Sequence, residues 1–351
     1  MRGRGMKMNT ISTSRNKAIS VLRIAATVAV VFSHACSTIT ENPEVATLTK
    51  QQFATLDYLL NICKWHVPMF FMLTGMLLLN KKELTISTVV SKYAKRMLLA
   101  LFVFGVPYAV LIQFFEVRGL SIQMLGKAVI MTLNNESFSH LWYLFAMIGI
   151  YLALPVLKLI ADKASKELIR YYLIILFALN FVVPFLKVLG FRTAFTMPLG
   201  TYVVFYILLG FYLSQINFEG MRHLTMLGVC GIITASLITL TFLLLNGSAV
   251  AAMSYQSPVN VLATVSVYIL TVGCVSGRCG DKLWKIDRLC FGVYLIHPLF
   301  IQFTYKFLKV TPVRFGAWLP MIFVFGAAFV VAGFLSSWLM SLIKPIKKYI
   351  L

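Results

Sequence analysis

Two ionisable side chains stand inside the apolar stretch RIAATVAVVFSHA, residues 23–35. Arg23 opens the stretch and His34 is its penultimate residue. An imidazole can accept or donate a proton near neutral pH, and a guanidinium binds phosphate through several fixed N–H donors. Because such groups are costly in lipid, they indicate a functional site. The structural alternative is an arginine that reaches the headgroups and a histidine that is hydrogen-bonded in the core.

The spacing of these two residues favours a shared role. Ten residues separate them, so in an α-helix they lie three turns apart, on one face to within about 20° and about 16 Å apart along the axis. With a cytoplasmic N-terminus, Arg23 would lie near the inner membrane surface and His34 near the outer one. Both would then face one side of the first predicted span.

Further polar and aromatic residues are predicted at the outer level of the membrane. Histidines beside a carboxylate and an amine would suit proton transfer. An aromatic belt and an outward-reaching lysine are the structural alternatives. Zinc-binding histidine spacings are absent from the sequence, so we predict no metal. The residues at this level are Lys64, His66, Glu116, His140, Trp142 and Tyr143.

The composition predicts an all-α polytopic membrane protein. Of 351 residues, 60% are hydrophobic and 12% are charged, against about 25% charged in soluble domains. Hydropathy predicts about ten transmembrane helices within a membrane domain over 18–343, flanked by basic segments 1–17 and 344–351. The predicted spans are 18–38, 57–79, 97–116, 140–158, 171–190, 197–214, 223–246, 258–277, 289–308 and 316–343.

The charge distribution predicts the orientation of the chain. Most of the 32 lysines and arginines fall in alternate connections, on the side that also holds both termini. By the positive-inside rule, the N- and C-termini are cytoplasmic. The basic residues behind the net charge of +21 therefore set the membrane orientation and interact with anionic lipid headgroups. We expect no nucleic-acid partner.

Several motifs occur in an order that resembles acyltransferase family 3, the integral membrane O-acyltransferases. SKYAKR, 91–96, stands where the family often has R-x-x-R. Residue His297 belongs to the last of the matching motifs. These are Arg23-x10-His34, VPMFFMLTGMLLL (67–79), HLWYLFAMIGIYLALP (140–155), YILLGFYL (206–213) and FGVYLIHPLF (291–300).

The resemblance implies transfer of an acyl group, usually acetyl from acetyl-CoA, to a hydroxyl of a cell-envelope glycan or lipid-linked sugar. It implies a bacterial cytoplasmic membrane, and it makes His34 the general base or, alternatively, an acyl-carrying nucleophile. Arg23, with Lys92, Lys95 and Arg96, would bind the donor phosphates.

The remaining candidate residues would assist the chemistry or bind the acceptor. We expect Glu116 and His140 to be catalytic, and Lys64, His66, Trp142, Tyr143 and His297 to bind substrate. Some relatives carry an extracytoplasmic hydrolase-like domain, so we expect either direct transfer or a separate extracytoplasmic partner. A transporter of a small polar solute and a non-catalytic scaffold are the rival functional classes.

Overall fold

The computed structural model describes residues 16–117, 119, 121–196, 200–216 and 222–351. These residues form sixteen α-helices and no β-strand, as an all-α prediction requires. Most of the predicted basic segment 1–17 lies outside the described residues. The helices are α1 Lys17–Thr40, α2 Lys50–Ile62, α3 His66–Leu78, α4 Ile86–Thr88, α5 Lys95–Val117, α6 Ile122–Leu133, α7 Trp142–Lys163, α8 Lys166–Phe177, α9 Val183–Val188, α10 Tyr202–Ser214, α11 Arg222–Asn246, α12 Pro258–Cys274, α13 Asp281–Asp287, α14 Cys290–Gln302, α15 Trp318–Leu342 and α16 Lys344–Tyr349.

Six helical segments of the described chain are long and apolar enough to cross a bilayer. A seventh is obtained when Asp281–Asp287 and Cys290–Arg314 are counted together as one broken span. Other predicted spans correspond to shorter helices: the 13 residues of α10 cover about 20 Å, less than the apolar core of about 30 Å. The total of ten spans and the cytoplasmic termini stay predictions. The six segments are Lys17–Thr40, Ile86–Phe114, Ser139–Lys163, Lys166–Val188, His223–Asn246 and Trp318–Leu342.

The predicted span 57–79 is interrupted in the structure. Helix α2 ends at Ile62 and α3 begins at His66. Pro68 explains the break, because it has no N–H to donate to the carbonyl of Lys64 in a continuous helix. In the first turn of α3 the missing N–H is tolerated. The amide of Asn260 donates to the carbonyl of Lys64 instead, at 3.4 Å.

The described residues fall into two compact units. The first contains the described residues through Thr40, Leu48–Asn80 and Ala164–Asp287, and the second contains Glu41–Thr47, Lys81–Lys163 and Arg288–Leu351. Within the first unit, α1 packs against α2, α3, α12 and α13, and α3 packs against α10. Within the second unit, α5 packs against α6 and α7, and α14 packs against α15.

Two glycines allow α3 and α10 to pack in backbone contact. A Cβ atom placed on Gly75 would lie 1.9 Å from the carbonyl oxygen of Ile207, and one placed on Gly210 would lie 2.1 Å from that of Met72. Each helix therefore offers a glycine to the backbone of the other. This arrangement explains why both the VPMFFMLTGMLLL and YILLGFYL motifs contain a glycine, since small residues let apolar helices approach closely.

Candidate active site

Helix α1 carries both Arg23 and His34 without interruption. It begins after Asn16, whose side-chain oxygen accepts a hydrogen bond from the N–H of Ile19 at 3.2 Å. Such a cap satisfies a donor that the first helical turn leaves without a partner. The N–H of Lys17 also donates to the carbonyl of Gly277 at 3.1 Å, which ties the start of the helix to the first unit. The helical geometry assumed from the sequence therefore holds throughout Lys17–Thr40.

Arg23 forms an ion pair with Asp287, the last residue of α13. Its Nη1 donates to Oδ1 of Asp287 at 2.5 Å, and the hydroxyl of Ser20 donates to Oδ2 at 3.0 Å. The Asp287 side chain is 1% exposed and that of Arg23 is 27% exposed. A buried carboxylate needs such partners, because an isolated charge loses its hydration without compensation. Arg23 is therefore anchored through Nη1, while its side chain as a whole stays partly exposed.

His34 is half-buried, three helical turns from Arg23 along α1. Its carbonyl oxygen accepts hydrogen bonds from the hydroxyls of Thr38 at 2.8 Å and Ser37 at 3.4 Å. These bonds involve the main chain of His34 and tie it to the next turn of α1. Partial exposure is what a side chain needs if it is to meet a substrate.

A second histidine of the first unit is bonded next to His34. The hydroxyl of Ser33 donates to the carbonyl of Val30 at 2.9 Å, and Nε2 of His66 lies 3.1 Å from the Ser33 oxygen. His66 is the first residue of α3 and is 3% exposed. Ser33 thus fixes the His66 ring against α1, one residue before His34.

The second unit contains a buried pair of imidazole rings, those of His140 and His297, whose centroids are 5.6 Å apart. Nδ1 of His297 lies 2.9 Å from the carbonyl oxygen of Tyr294 and 3.1 Å from that of Val293. Because both neighbours are acceptors, Nδ1 carries the proton, and Nε2 of a neutral ring is then the acceptor. The hydroxyl of Tyr294 donates to the carbonyl of His140 at 2.7 Å, which links α14 to the start of α7.

Aromatic rings surround this pair. Tyr143 lies 5.5 Å from Tyr294 between ring centroids, and Trp142 lies 6.2 Å from Tyr143, each in an edge-to-face arrangement. The hydroxyl of Tyr108 donates to the carbonyl of Leu295 at 2.7 Å. Such a cluster combines apolar ring faces with a few polar groups, which is typical of small-molecule binding sites.

The basic residues of SKYAKR differ in their surroundings. Lys92 and Lys95 are exposed. Arg96 is half-buried and engaged: its Nε donates to the carbonyl oxygen of Ile350 at 2.5 Å, and its Nη2 donates to that of Leu351 at 2.6 Å. The predicted donor-binding arginine of this segment therefore has protein partners within the second unit.

The structure places the predicted site residues as follows. Arg23, His34, Lys64 and His66 belong to the first unit, and Lys64 is half-buried at the break between α2 and α3. The other candidates belong to the second unit. For Glu116 the backbone lies in α5, whereas its side chain is outside the described residues. The second-unit candidates are Lys92, Lys95, Arg96, Glu116, His140, Trp142, Tyr143 and His297.

A family model described as an acyltransferase domain, that of acyltransferase family 3, matches residues 16–338. This range is nearly the whole chain and includes every candidate residue named above. The chain belongs to acyltransferase family 3. No curated protein and no solved structure matches it. Together with its apolar helices, the match makes the chain a multi-pass membrane acyltransferase.

Sequence reasoning missed three polar residues that contact candidate site residues or their partners. Asp287 was expected in a connection and instead binds Arg23, and Ser20 and Ser33 were not singled out at all. The signal for the two serines was available, because both lie in the span that carries Arg23 and His34. For Asp287 the sequence offered only its position as a carboxylate four residues before the FGVYLIHPLF motif.

The described part of the acyltransferase contains no group of three histidine, cysteine, aspartate or glutamate side chains that could hold a metal ion. In the first unit the described side chains include a partly exposed guanidinium and a half-buried imidazole on one helix. The first suits an anion and the second suits proton transfer.

Proposed function

We propose that this acyltransferase moves an acetyl group from acetyl-CoA to a hydroxyl of a cell-envelope glycan or lipid-linked sugar, in a bacterial cytoplasmic membrane. One observation carries the proposal: an anion-binding group and a proton-transfer group, Arg23 and His34, lie three turns apart on one unbroken helix of a family 3 acyltransferase. Acetyl-CoA has the matching shape, with a polyanionic head at one end of a long arm and a thioester at the other.

His34 acts as the general base in this proposal. Its neutral imidazole takes the proton of the acceptor hydroxyl while the oxygen attacks the thioester carbonyl. The carbon–sulfur bond then breaks, and the CoA thiolate leaves and takes up the proton from the imidazolium. In the alternative route His34 itself attacks the carbonyl, the carbon–sulfur bond breaks, and the CoA thiolate leaves with the proton of the imidazole ring. The acceptor hydroxyl then attacks the acetylated imidazole, the bond from carbon to the ring nitrogen breaks, and the ring takes up the hydroxyl proton.

The cations bind the donor. In the first unit, Arg23 donates from the guanidinium nitrogens that Asp287 does not bind. The resemblance adds Lys92 and Lys95, which are exposed side chains of the second unit. Arg96 joins them only after it has released its main-chain partners in the tail. The exposed lysines interact with phosphate as flexible point charges, whereas Arg23 is directional.

The acceptor meets the aromatic and imidazole groups. His140 transfers or relays protons with Glu116, and Trp142, Tyr143 and His297 contact the sugar in the second unit. Lys64 and His66 do so in the first. The acceptor receives the acetyl group directly from this protein, or a separate extracytoplasmic partner receives the group first and transfers it to the acceptor.

The test is CoA release from acetyl-CoA by purified protein, followed with a thiol reagent in the presence of a lipid-linked sugar or polysaccharide fraction. His34→Ala should abolish turnover, and Arg23→Ala should raise the acetyl-CoA concentration needed for half-maximal rate. His223→Ala is the matched control, since His223 is exposed and lies outside the proposed machinery.

The outcomes separate the alternatives. Full activity of His34→Ala at matched expression would remove His34 as base and as nucleophile. An acetylated protein trapped by rapid quenching, and lost in His34→Ala, would favour the two-step route. Absence of CoA release from the wild type, with acceptor present, would count against acetyl transfer and favour the transporter class.

A further inference from the structure

Asp287 is a buried carboxylate whose two oxygens are both bonded to α1. Oδ1 accepts from Nη1 of Arg23 at 2.5 Å and Oδ2 accepts from Ser20 at 3.0 Å. Ser20 is itself 1% exposed, and it lies one helical turn before Arg23. A carboxylate bonded at both oxygens in a buried place has a fixed orientation. Any group that it binds is therefore held in a fixed orientation as well.

Asp287 contacts only one corner of the guanidinium. An arginine has five N–H donors in a plane, and it can bind an anion with two parallel hydrogen bonds through Nη1 and Nη2 or through Nε and Nη2. The bond from Nη1 to Asp287 leaves the second edge, Nε with Nη2, without a protein acceptor among the described residues. The Arg23 side chain as a whole is 27% exposed, so it is not sealed in the core as Asp287 is.

Fixing an arginine in advance favours binding. A long flexible side chain loses rotamer freedom when it binds a ligand, and a side chain that is already held loses less. The planar fork then meets phosphate in one geometry rather than many. In metal sites, a hydrogen-bonded carboxylate orients the histidine ring that binds the metal. The contact with Asp287 would orient the guanidinium of Arg23 in the same way.

We propose that Asp287, held by Ser20, is a positioning residue that presents the Nε and Nη2 edge of Arg23 to a phosphate group of the acyl donor. The inference rests on the proposed use of Arg23 to bind the donor. The competing explanation is an ion pair that only joins α13 to α1. The two explanations differ in whether the effect of Asp287 on donor affinity requires Arg23.

The experiment measures the affinity of coenzyme A for the purified full-length protein by equilibrium dialysis, so that neither turnover nor an acceptor is needed. Asp287→Asn removes the charge at nearly constant shape and should weaken binding about tenfold. Ser20→Ala keeps the ion pair and should weaken binding by a smaller factor. Asp281→Asn, the same change at an exposed position of α13, is the matched control and should bind as the wild type does.

A double-mutant cycle distinguishes positioning from a structural role. With Arg23→Gln as background, Asp287→Asn should have no further effect on coenzyme A affinity, because the edge that it positions is gone. An equal loss of affinity in both backgrounds would overturn the proposal, as would an unchanged affinity of Asp287→Asn alone. Thermal unfolding of each variant gives an independent measure of stability, and Ser20→Ala serves if Asp287→Asn does not fold.

Failure of the proposed function has a different result. If wild-type protein does not bind coenzyme A, then the donor assignment is wrong and the role of Asp287 falls with it. If wild type binds and Arg23→Gln does not change the affinity, then Arg23 is not a donor ligand and Asp287 cannot act through it. If wild type binds, Arg23→Gln weakens binding and Asp287→Asn does not, then only the positioning role is wrong.

Discussion

Replacing Gly75 or Gly210 with alanine should separate α3 from α10 and destabilise the first unit. The added Cβ would lie 1.9 Å from the carbonyl oxygen of Ile207 in the first case and 2.1 Å from that of Met72 in the second. Ordinary contacts begin at 3.4 Å, so the first substitution requires a displacement of about 1.5 Å. The opposing atoms belong to the backbone, and no side-chain rotation can relieve the clash.

The expected net effect is a loss of about 2 kcal/mol for each substitution. Overpacking against a rigid neighbour costs up to about 3 kcal/mol. Alanine recovers about 1 kcal/mol, because it has a higher helix propensity than glycine. The double variant should lose less than the sum of the two single losses, since both glycines lie in one interface and the first substitution already separates the helices.

The assay is thermal unfolding in detergent, in which the fraction of protein that stays monodisperse is measured at each temperature. Gly149→Ala provides a control in which the same substitution, also within a helix, meets no atom within 4 Å. It should leave the unfolding midpoint unchanged or raise it. If Gly75→Ala and Gly210→Ala unfold at the same temperature as Gly149→Ala, then α3 and α10 are not in backbone contact and the packing described above is wrong.

Three further predictions concern individual hydrogen bonds. Tyr108→Phe removes the hydroxyl that donates to Leu295 at 2.7 Å and should lower the free energy of unfolding by about 1 kcal/mol, as measured by thermal or denaturant unfolding. Asp57→Ala removes the carboxylate that accepts from the N–H of Ala249 at 2.6 Å, so it should cost about 2 kcal/mol and speed limited proteolysis between α11 and α12. Arg96→Ala should release the tail after α16, measured as faster digestion by carboxypeptidase.

Each of these predictions has a control at an exposed position. Tyr171→Phe should leave the stability unchanged, Glu83→Ala should leave the proteolysis rate unchanged, and Lys92→Ala should leave the tail protected. If Tyr108→Phe proves as stable as Tyr171→Phe, the bond to Leu295 contributes nothing to folding. Equal digestion of the Arg96 and Lys92 variants would show that Arg96 does not hold the tail.

The sequence predicted the elements that depend on continuous apolar runs. The first span was predicted over 18–38 and forms a helix over Lys17–Thr40, because neither proline nor glycine interrupts it. The span over 57–79 was predicted as one helix, although Pro68 indicated a helix start within it. A hydropathy average over many residues is hardly changed by a single proline. The missing N–H of Pro68 nevertheless interrupts the helix near that point, and a hydropathy average does not detect it.

The partners of the candidate residues were much harder to predict. Arg23 and Asp287 are 264 residues apart in the chain, and no periodicity connects residues on different helices. Asp57 is the first residue of the predicted span 57–79, yet it is 3% exposed and its carboxylate accepts from the N–H of Ala249 in the segment after α11. A sequence pattern predicts which face of a helix is apolar. It does not predict which distant helix supplies the counter-charge to a polar residue on that face.

The tail after α16 is recognised through its main chain. Arg96 binds the carbonyl oxygens of Ile350 and Leu351, which every amino acid possesses. Inserting one residue after Tyr349 would carry both acceptors past the guanidinium. The Ile350 side chain is itself 4% exposed, so its packing constrains the residue type there, in addition to the spacing that the two bonds to Arg96 require.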